Sequence, residues 1–236
     1  EIIVSAKNEF LMNLQYQHPS QEQILKKAFT SFCKEGMKGY YEAITDKPYV
    51  IDKSRGWGIH YDFLNQVYPQ PKIICMIRDL RDIFASMENN YRKSSDKTSP
   101  ILDWATLQGT TVPKRVDIWA QNPPVGMAIE RLGEVIRMGI NSKILFVKFE
   151  DLCLYPDREM TKVYNYLDIP YYNHDFDNIE QVTKEDDTVY GAFGDHVIRT
   201  KLEPMPSKAK TLLGRDVTDW VYNNYKWFYE QFNYKK

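Results

Sequence analysis

Nothing in this chain of 236 residues approaches the ~18 consecutive apolar residues of a membrane span, and no secretory-leader pattern is present. A surplus of charge is missing too. Lys and Arg total 31 against 32 for Asp and Glu, so no global field draws the chain to nucleic acid or anionic lipid, and an anionic ligand must be held by a local cluster. Cysteine is scarce: Cys33, Cys75 and Cys153 are odd in number and far apart. That argues against a disulfide framework or a Cys-based metal site and for reduced, buried thiols, which favours a cytoplasmic setting. Repeats and low-complexity tracts are absent. The opening Glu1-Ile2-Ile3-Val4 lacks an initiator Met and reads like entry into the middle of a fold, with a segment expected upstream.

What is present suffices for a sizeable core: 43% of residues are hydrophobic and 14% aromatic, as expected for one domain over residues 1–236. Ser20 and Gln23 form a capping-box pattern, and Ile24, Leu25, Ala28, Phe29, Phe32, Met37, Tyr40, Tyr41 and Ile44 then recur at helical spacing. Pro48 breaks this helix. Tyr49-Val50-Ile51 has the character of a short buried strand, and a second helix carries Ile59, Phe63, Leu64 and Val67 on one face. Lys72-Ile73-Ile74-Cys75-Met76-Ile77 is apolar without alternation, as in a parallel strand covered on both faces. A helix is expected over about residues 82–91, a loop or lid over 93–115, and a helix through Ile129, Leu132, Val135 and Ile136 that stops at Gly139. The strand Ile144-Leu145-Phe146-Val147 follows, then a helix opened by Pro156 and an irregular stretch over 173–206. An aromatic-rich helix over 216–232 comes last, its Trp220, Tyr225, Trp227, Phe228 and Tyr229 spaced for core packing rather than for a ligand box. Alternating strands and helices predict an α/β fold, a parallel sheet flanked by helices on both faces, with ligands bound beyond the carboxyl ends of the strands.

The residues just past the strands carry the chemistry. Arg78 ends one strand, Asp79 is placed to cap the next helix, and Ser86 lies on the helix face that points back toward that cap. An Arg fork, a hydroxyl and a positive helix end suit a phosphate dianion. The competing reading on spacing alone pairs Arg78 with Asp79 or Asp82 and makes Ser86 an incidental small residue.

The string Lys-Ile-Ile-Cys-Met-Ile-Arg-Asp-Leu-Arg-Asp-Ile-Phe-Ala-Ser-Met over residues 72–87 resembles the 3′-phosphate motif of sulfotransferases that use 3′-phosphoadenosine 5′-phosphosulfate. In that family a strand-end Arg and a Ser eight residues later hold the 3′-phosphate, the positions of Arg78 and Ser86. A second string, Ile-Leu-Phe-Val-Lys-Phe-Glu-Asp-Leu-Cys-Leu-Tyr-Pro over residues 144–156, is similar to the family's strand, Tyr-Glu-Asp turn and Pro-started helix. The resemblance spans about residues 47–167, continues more weakly to the C-terminus, and is closest to the tyrosylprotein and bacterial-type members. It implies a fold like that of P-loop nucleotide kinases. It also implies transfer of a sulfuryl group from that donor, without a metal, to a hydroxyl or amine of a small-molecule, glycan or peptide acceptor.

The resemblance assigns further roles. Lys53, in Ile-Asp-Lys-Ser-Arg, matches the Lys that polarises the bridging oxygen, but Arg55 stands where cytosolic members carry a catalytic His. That departure leans toward the tyrosylprotein arrangement, in which a Glu near the start of the fold is the base. Glu1 is then the candidate base, or an ordinary surface carboxylate with the base lying upstream; His60 is second, against a satisfied core or surface histidine. Phe149 replaces the Tyr near the adenine, keeping the ring and losing the hydroxyl; a plain core Phe is the equal alternative. Arg199, with Lys201 beside it, matches a Lys that reaches the cofactor phosphates, against the alternative of a solvated charge run. The family's first strand and Ser-Gly-Thr-Thr type phosphate loop are expected upstream of Glu1. A P-loop kinase, with Asp52 as its Mg²⁺ carboxylate, and a non-catalytic nucleotide-binding module are the rival readings.

Overall fold

The computed structural model of the protein describes residues 2–14, 21–93, 107, 109–182 and 198–236. They belong to two compact units, residues 1–71 and 72–236.

The first unit is helical. Helix α1 (Ile2–Leu14) and the long α2 (Glu22–Ile44) pack together, with Phe10 stacked on Phe29 at 4.3 Å between ring centroids. After a 3-10 turn at Trp57–His60, helix α3 (Tyr61–Val67) lays Phe63 and Val67 against Cys33 of α2, and the Tyr68 hydroxyl donates to the Lys34 carbonyl at 3.2 Å. The predicted helix over residues 24–44 is therefore present. Its capping box is not: the N-cap is Gln21, without a side-chain bond, and Ser20 lies outside the described residues. The predicted strand Tyr49-Val50-Ile51 is also absent. Ile51 is 85% exposed and Tyr49 59%. No described strand lies beside this stretch to take its backbone groups, and Pro48 at its start has no N–H to offer.

The second unit is built on β1 (Ile74–Ile77), followed by α4 (Leu80–Lys93), α5 (Val112–Gln121) and α6 (Val125–Arg137). Gly139 at φ 69° ends the α6 region in the left-handed conformation that glycine adopts without strain. Strand β2 (Leu145–Lys148) pairs with β1 in parallel, Ile74 beside Leu145 and Ile77 beside Lys148. Helices α7 (Phe149–Leu154) and α8 (Pro156–Leu167) follow directly, then α9 (Ala209–Leu213), α10 (Arg215–Asn224) and α11 (Lys226–Gln231). The α/β alternation expected from the sequence thus appears as a small parallel sheet among many helices.

Three sequence expectations shift. The lid predicted over residues 93–115 gives way to helix at Val112, because Pro113 occupies the first turn, where its missing N–H costs nothing. Residues 94–106 and 108 lie outside the described set. The aromatic helix over 216–232 is two helices that meet at Tyr225. Phe228 and Tyr229 are buried with Phe84, Val116 and Val221 in the main core, as helical spacing requires, while Trp220 is 38% exposed.

One charged cluster penetrates this core. Glu88 of α4 is fully buried and takes Arg115 of α5 in a two-pronged pair, at 2.8 Å to Nε and 2.7 Å to Nη2, together with Arg92 Nε at 2.7 Å. The Arg115 guanidinium also covers the Tyr91 ring at 4.3 Å.

Candidate functional site

Parallel pairing in register brings the two strand ends side by side, so Arg78 and Asp79 emerge next to Phe149 and Glu150. Asp79 caps α4 as the sequence implies: its Oδ1 accepts the Arg81 backbone N–H at 2.9 Å, and its carbonyl accepts the N–H groups of Asp82 and Ile83 at 3.0 Å each. The capping carboxylate also binds the Arg81 guanidinium at 2.6 Å and the buried Tyr229 hydroxyl at 3.1 Å. The helix end is thus already occupied by an anion. An incoming phosphate would rely on side chains there, not on bare N–H groups as the sequence suggested.

The carboxylates that competed for Arg78 are taken. Asp79 pairs with Arg81, and Asp82 accepts the Ser207 hydroxyl at 2.6 Å. Burial raises the Asp82 carboxyl, the Ser207 bond and the Arg78 charge drawing it partly back. Arg78 itself has no hydrogen bond or ion pair among the described residues. Its guanidinium lies over the Phe149 ring, 4.8 Å from the centroid. A half-buried guanidinium held by one face and not neutralised is chemically suited to an anion. The reading that paired Arg78 with its neighbouring carboxylates does not hold.

Ser86 is exposed on α4, one turn beyond Asp82 on the same face, and its hydroxyl has no partner among the described residues. Phe149 is half-buried at the start of α7 with one face given to Arg78. Arg199 is exposed, on a segment tied to residues 176–181 by backbone bonds from Ile179 N–H to the Thr200 carbonyl at 2.6 Å and from Leu202 N–H to the Phe176 carbonyl at 2.9 Å. No side-chain partner of Arg199 occurs among the described residues. The buried Cys153 thiol relates the pieces: burial pushes its pKa up, while Arg78 and Arg199 pull it down and Glu150 pushes it up. All three charged groups therefore act on one sulfur. Lys201 differs. Its ammonium is paired with Asp177 at 2.7 Å in an exposed ion pair that raises its pKa.

Lys53 belongs to the first unit, in exposed coil rather than at a strand end. The neighbouring Asp52 accepts the Trp57 indole N–H at 3.0 Å and the Tyr41 hydroxyl, whose pKa burial and that bond raise. Both oxygens of the one carboxylate suited to a kinase Mg²⁺ are engaged. Glu1 lies outside the described residues, and His60 closes the 3-10 turn before α3.

The sequence did not reveal what fixes this geometry. Glu150 accepts the Asp79 backbone N–H at 3.0 Å and the Tyr234 hydroxyl at 2.7 Å, and Arg81 also donates to the Lys235 carbonyl at 2.7 Å. Acidic residues directly after an apolar strand were the visible clue; their partners are far away in the chain.

Residues 5–173, well over half of the chain, match the family model described as sulfotransferase family. The match includes Lys53, Arg78, Ser86 and Phe149 and stops short of Arg199 and Lys201. No curated protein and no solved structure compared with the chain is a match to it.

Proposed function

Because the chain belongs to the sulfotransferase family, we propose that its donor is 3′-phosphoadenosine 5′-phosphosulfate and its acceptor a hydroxyl or amine of a small molecule, glycan or peptide. The observation that carries this reading is the Arg78 guanidinium, which stands at the end of a parallel strand, is backed by Phe149 and is paired with no carboxylate among the described residues. Such a cation fits the dianionic 3′-phosphate that distinguishes this donor from ordinary adenine nucleotides.

In this reading Arg78 and Ser86 hold the 3′-phosphate and Arg199 adds a second cation. Phe149 acts chiefly as the platform for Arg78, with its remaining surface open to a base. Lys53 stabilises the charge that develops on the phosphate oxygen as the S–O bond to it breaks. The acceptor oxygen or nitrogen forms the new bond to sulfur, its proton goes to a carboxylate or imidazole, with Glu1 and His60 as candidates, and adenosine 3′,5′-bisphosphate leaves. Lys201, already paired, serves to fix the Arg199 segment. A cytoplasmic setting, in which the three thiols stay reduced, belongs to the same proposal.

Calorimetry with adenosine 3′,5′-bisphosphate, and separately with ADP plus Mg²⁺, tests the reading. We expect the bisphosphate to bind and ADP to bind more weakly. Preference for ADP would remove this donor assignment in favour of a kinase.

A further inference from the structure

Glu150 occupies a place where a carboxylate ought to be harmful. It directly follows Phe149, whose ring carries Arg78, and a free carboxylate oxygen there would compete with a phosphate for that guanidinium. Both oxygens are held in place instead: Oε1 accepts the Asp79 N–H at 3.0 Å and Oε2 accepts the Tyr234 hydroxyl at 2.7 Å, which together fix the carboxylate's orientation. Arg78 makes no ion pair with Glu150.

Tyr234 is itself well held. Its ring lies parallel to Phe228 at 5.7 Å, the Lys148 ammonium sits over it at 4.5 Å, and the carbonyl of the next residue, Lys235, accepts Arg81. Burial and the Glu150 bond both raise the phenol's pKa, so it remains a proton donor at any pH where the protein would work.

We infer that Tyr234 is a positioning residue for the phosphate site: by holding Glu150 Oε2 it fixes that carboxylate in an orientation that keeps it off Arg78 and leaves the guanidinium for an anion. The ligand identity rests on the proposed function. The shielding itself is a property of the unliganded protein, and one arm of the test addresses it alone.

The variants are Tyr234→Phe and the double variant Tyr234→Phe with Glu150→Gln. The first measurement is the ratio of dissociation constants for adenosine 5′-phosphate and adenosine 3′,5′-bisphosphate. The second is the rate at which phenylglyoxal modifies Arg78, followed by peptide mass spectrometry. In Tyr234→Phe we expect Arg78 modification to slow and the ratio to fall, each by about fivefold, as a newly formed, partly exposed ion pair would cause. The double variant should recover both, because the amide still accepts the Asp79 N–H and carries no charge. Unchanged Arg78 modification in Tyr234→Phe overturns the inference. So does a loss that the double variant fails to recover, which would make Tyr234 purely structural. If the wild-type protein does not prefer the bisphosphate, the donor assignment falls, while the modification rates still decide whether Tyr234 shields Arg78.

Discussion

The guanidinium of Arg78 rests on the ring of Phe149, joining the residue after β1 to the residue after β2 across the strand pair. Truncating the cation should therefore remove affinity for one phosphate and little else. We expect Arg78→Ala to cost about 2–3 kcal/mol in binding adenosine 3′,5′-bisphosphate, the range for charge-assisted hydrogen bonds, and almost nothing for adenosine 5′-phosphate. Equal losses for both ligands, measured by calorimetry, would refute a 3′-phosphate role.

Phe149→Leu keeps an apolar side chain and removes the π-face. The cation–π contribution is about 0.5–2 kcal/mol for a partly desolvated pair, and we expect a loss of that order in bisphosphate affinity with thermal stability nearly unchanged. A large drop in melting temperature with affinity intact would instead make Phe149 a plain core residue.

Glu88 lies wholly inside the second unit between Arg115 and Arg92. Removing its carboxylate strands the buried Arg115, so Glu88→Ala should lower unfolding stability by about 3–5 kcal/mol. Urea unfolding is the measurement. A loss below about 1 kcal/mol, typical of exposed pairs, would show that Arg115 readily finds another partner or water.

The same cluster sets an acid limit. Burial pushes the Glu88 carboxyl up, but the hydrogen bonds and charges of Arg115 and Arg92 outweigh it and leave the folded pKa below the usual 4.5. Glu159 is lowered likewise, burial being outweighed by Lys162 and Arg158. A folded pKa below the unfolded one contributes stability that is complete above the unfolded value and lost as pH falls through the folded value. Urea midpoints should therefore drop on acidification from about pH 5 toward pH 3, and less steeply in Glu88→Gln. An equal slope in that variant would exclude Glu88 as a source.

Two glycines should respond in opposite ways to alanine. A Cβ on Gly126 would meet the Ala120 carbonyl oxygen at 2.5 Å and the Gln121 carbonyl carbon at 2.8 Å, both backbone atoms that cannot swing aside. Gly126→Ala should cost about 1–3 kcal/mol. At Gly133, also in α6, the nearest atoms are Trp227 ring carbons at 3.6 and 3.8 Å. Gly133→Ala should gain up to about 1 kcal/mol from helix propensity. Similar melting shifts at the two sites would contradict this packing.

The legible parts of the chain were those whose cause is local. Residues 72–77 read as a parallel strand because their apolar run does not alternate, 144–147 read as a strand after the stop at Gly139, and Asp79 read as a cap because a cap needs only its own helix. Arg78 and Ser86 stood out by spacing. Tyr49-Val50-Ile51 misled because strand propensity says nothing about whether a partner strand lies alongside. Val112 was missed because Pro113 signals a break in a loop and an accepted first turn in a helix with the same letter. The links from Glu150 to Tyr234 and from Asp79 to Tyr229 join residues far apart in sequence, where periodicity carries no information. Those links hold Asp79 and Glu150, the residues that follow Arg78 and Phe149 in the chain.

Arg92 and Arg115 end on the same Glu88 carboxylate, so two residues far apart in the chain are tied to one buried group. The entropy of closing a loop rises only slowly with its length, about 0.6 kcal/mol per doubling. A change in the length of the connection between Arg92 and Arg115 should therefore cost little, provided that Leu107, buried in the main core and accepting the Tyr91 hydroxyl at its carbonyl, keeps its place.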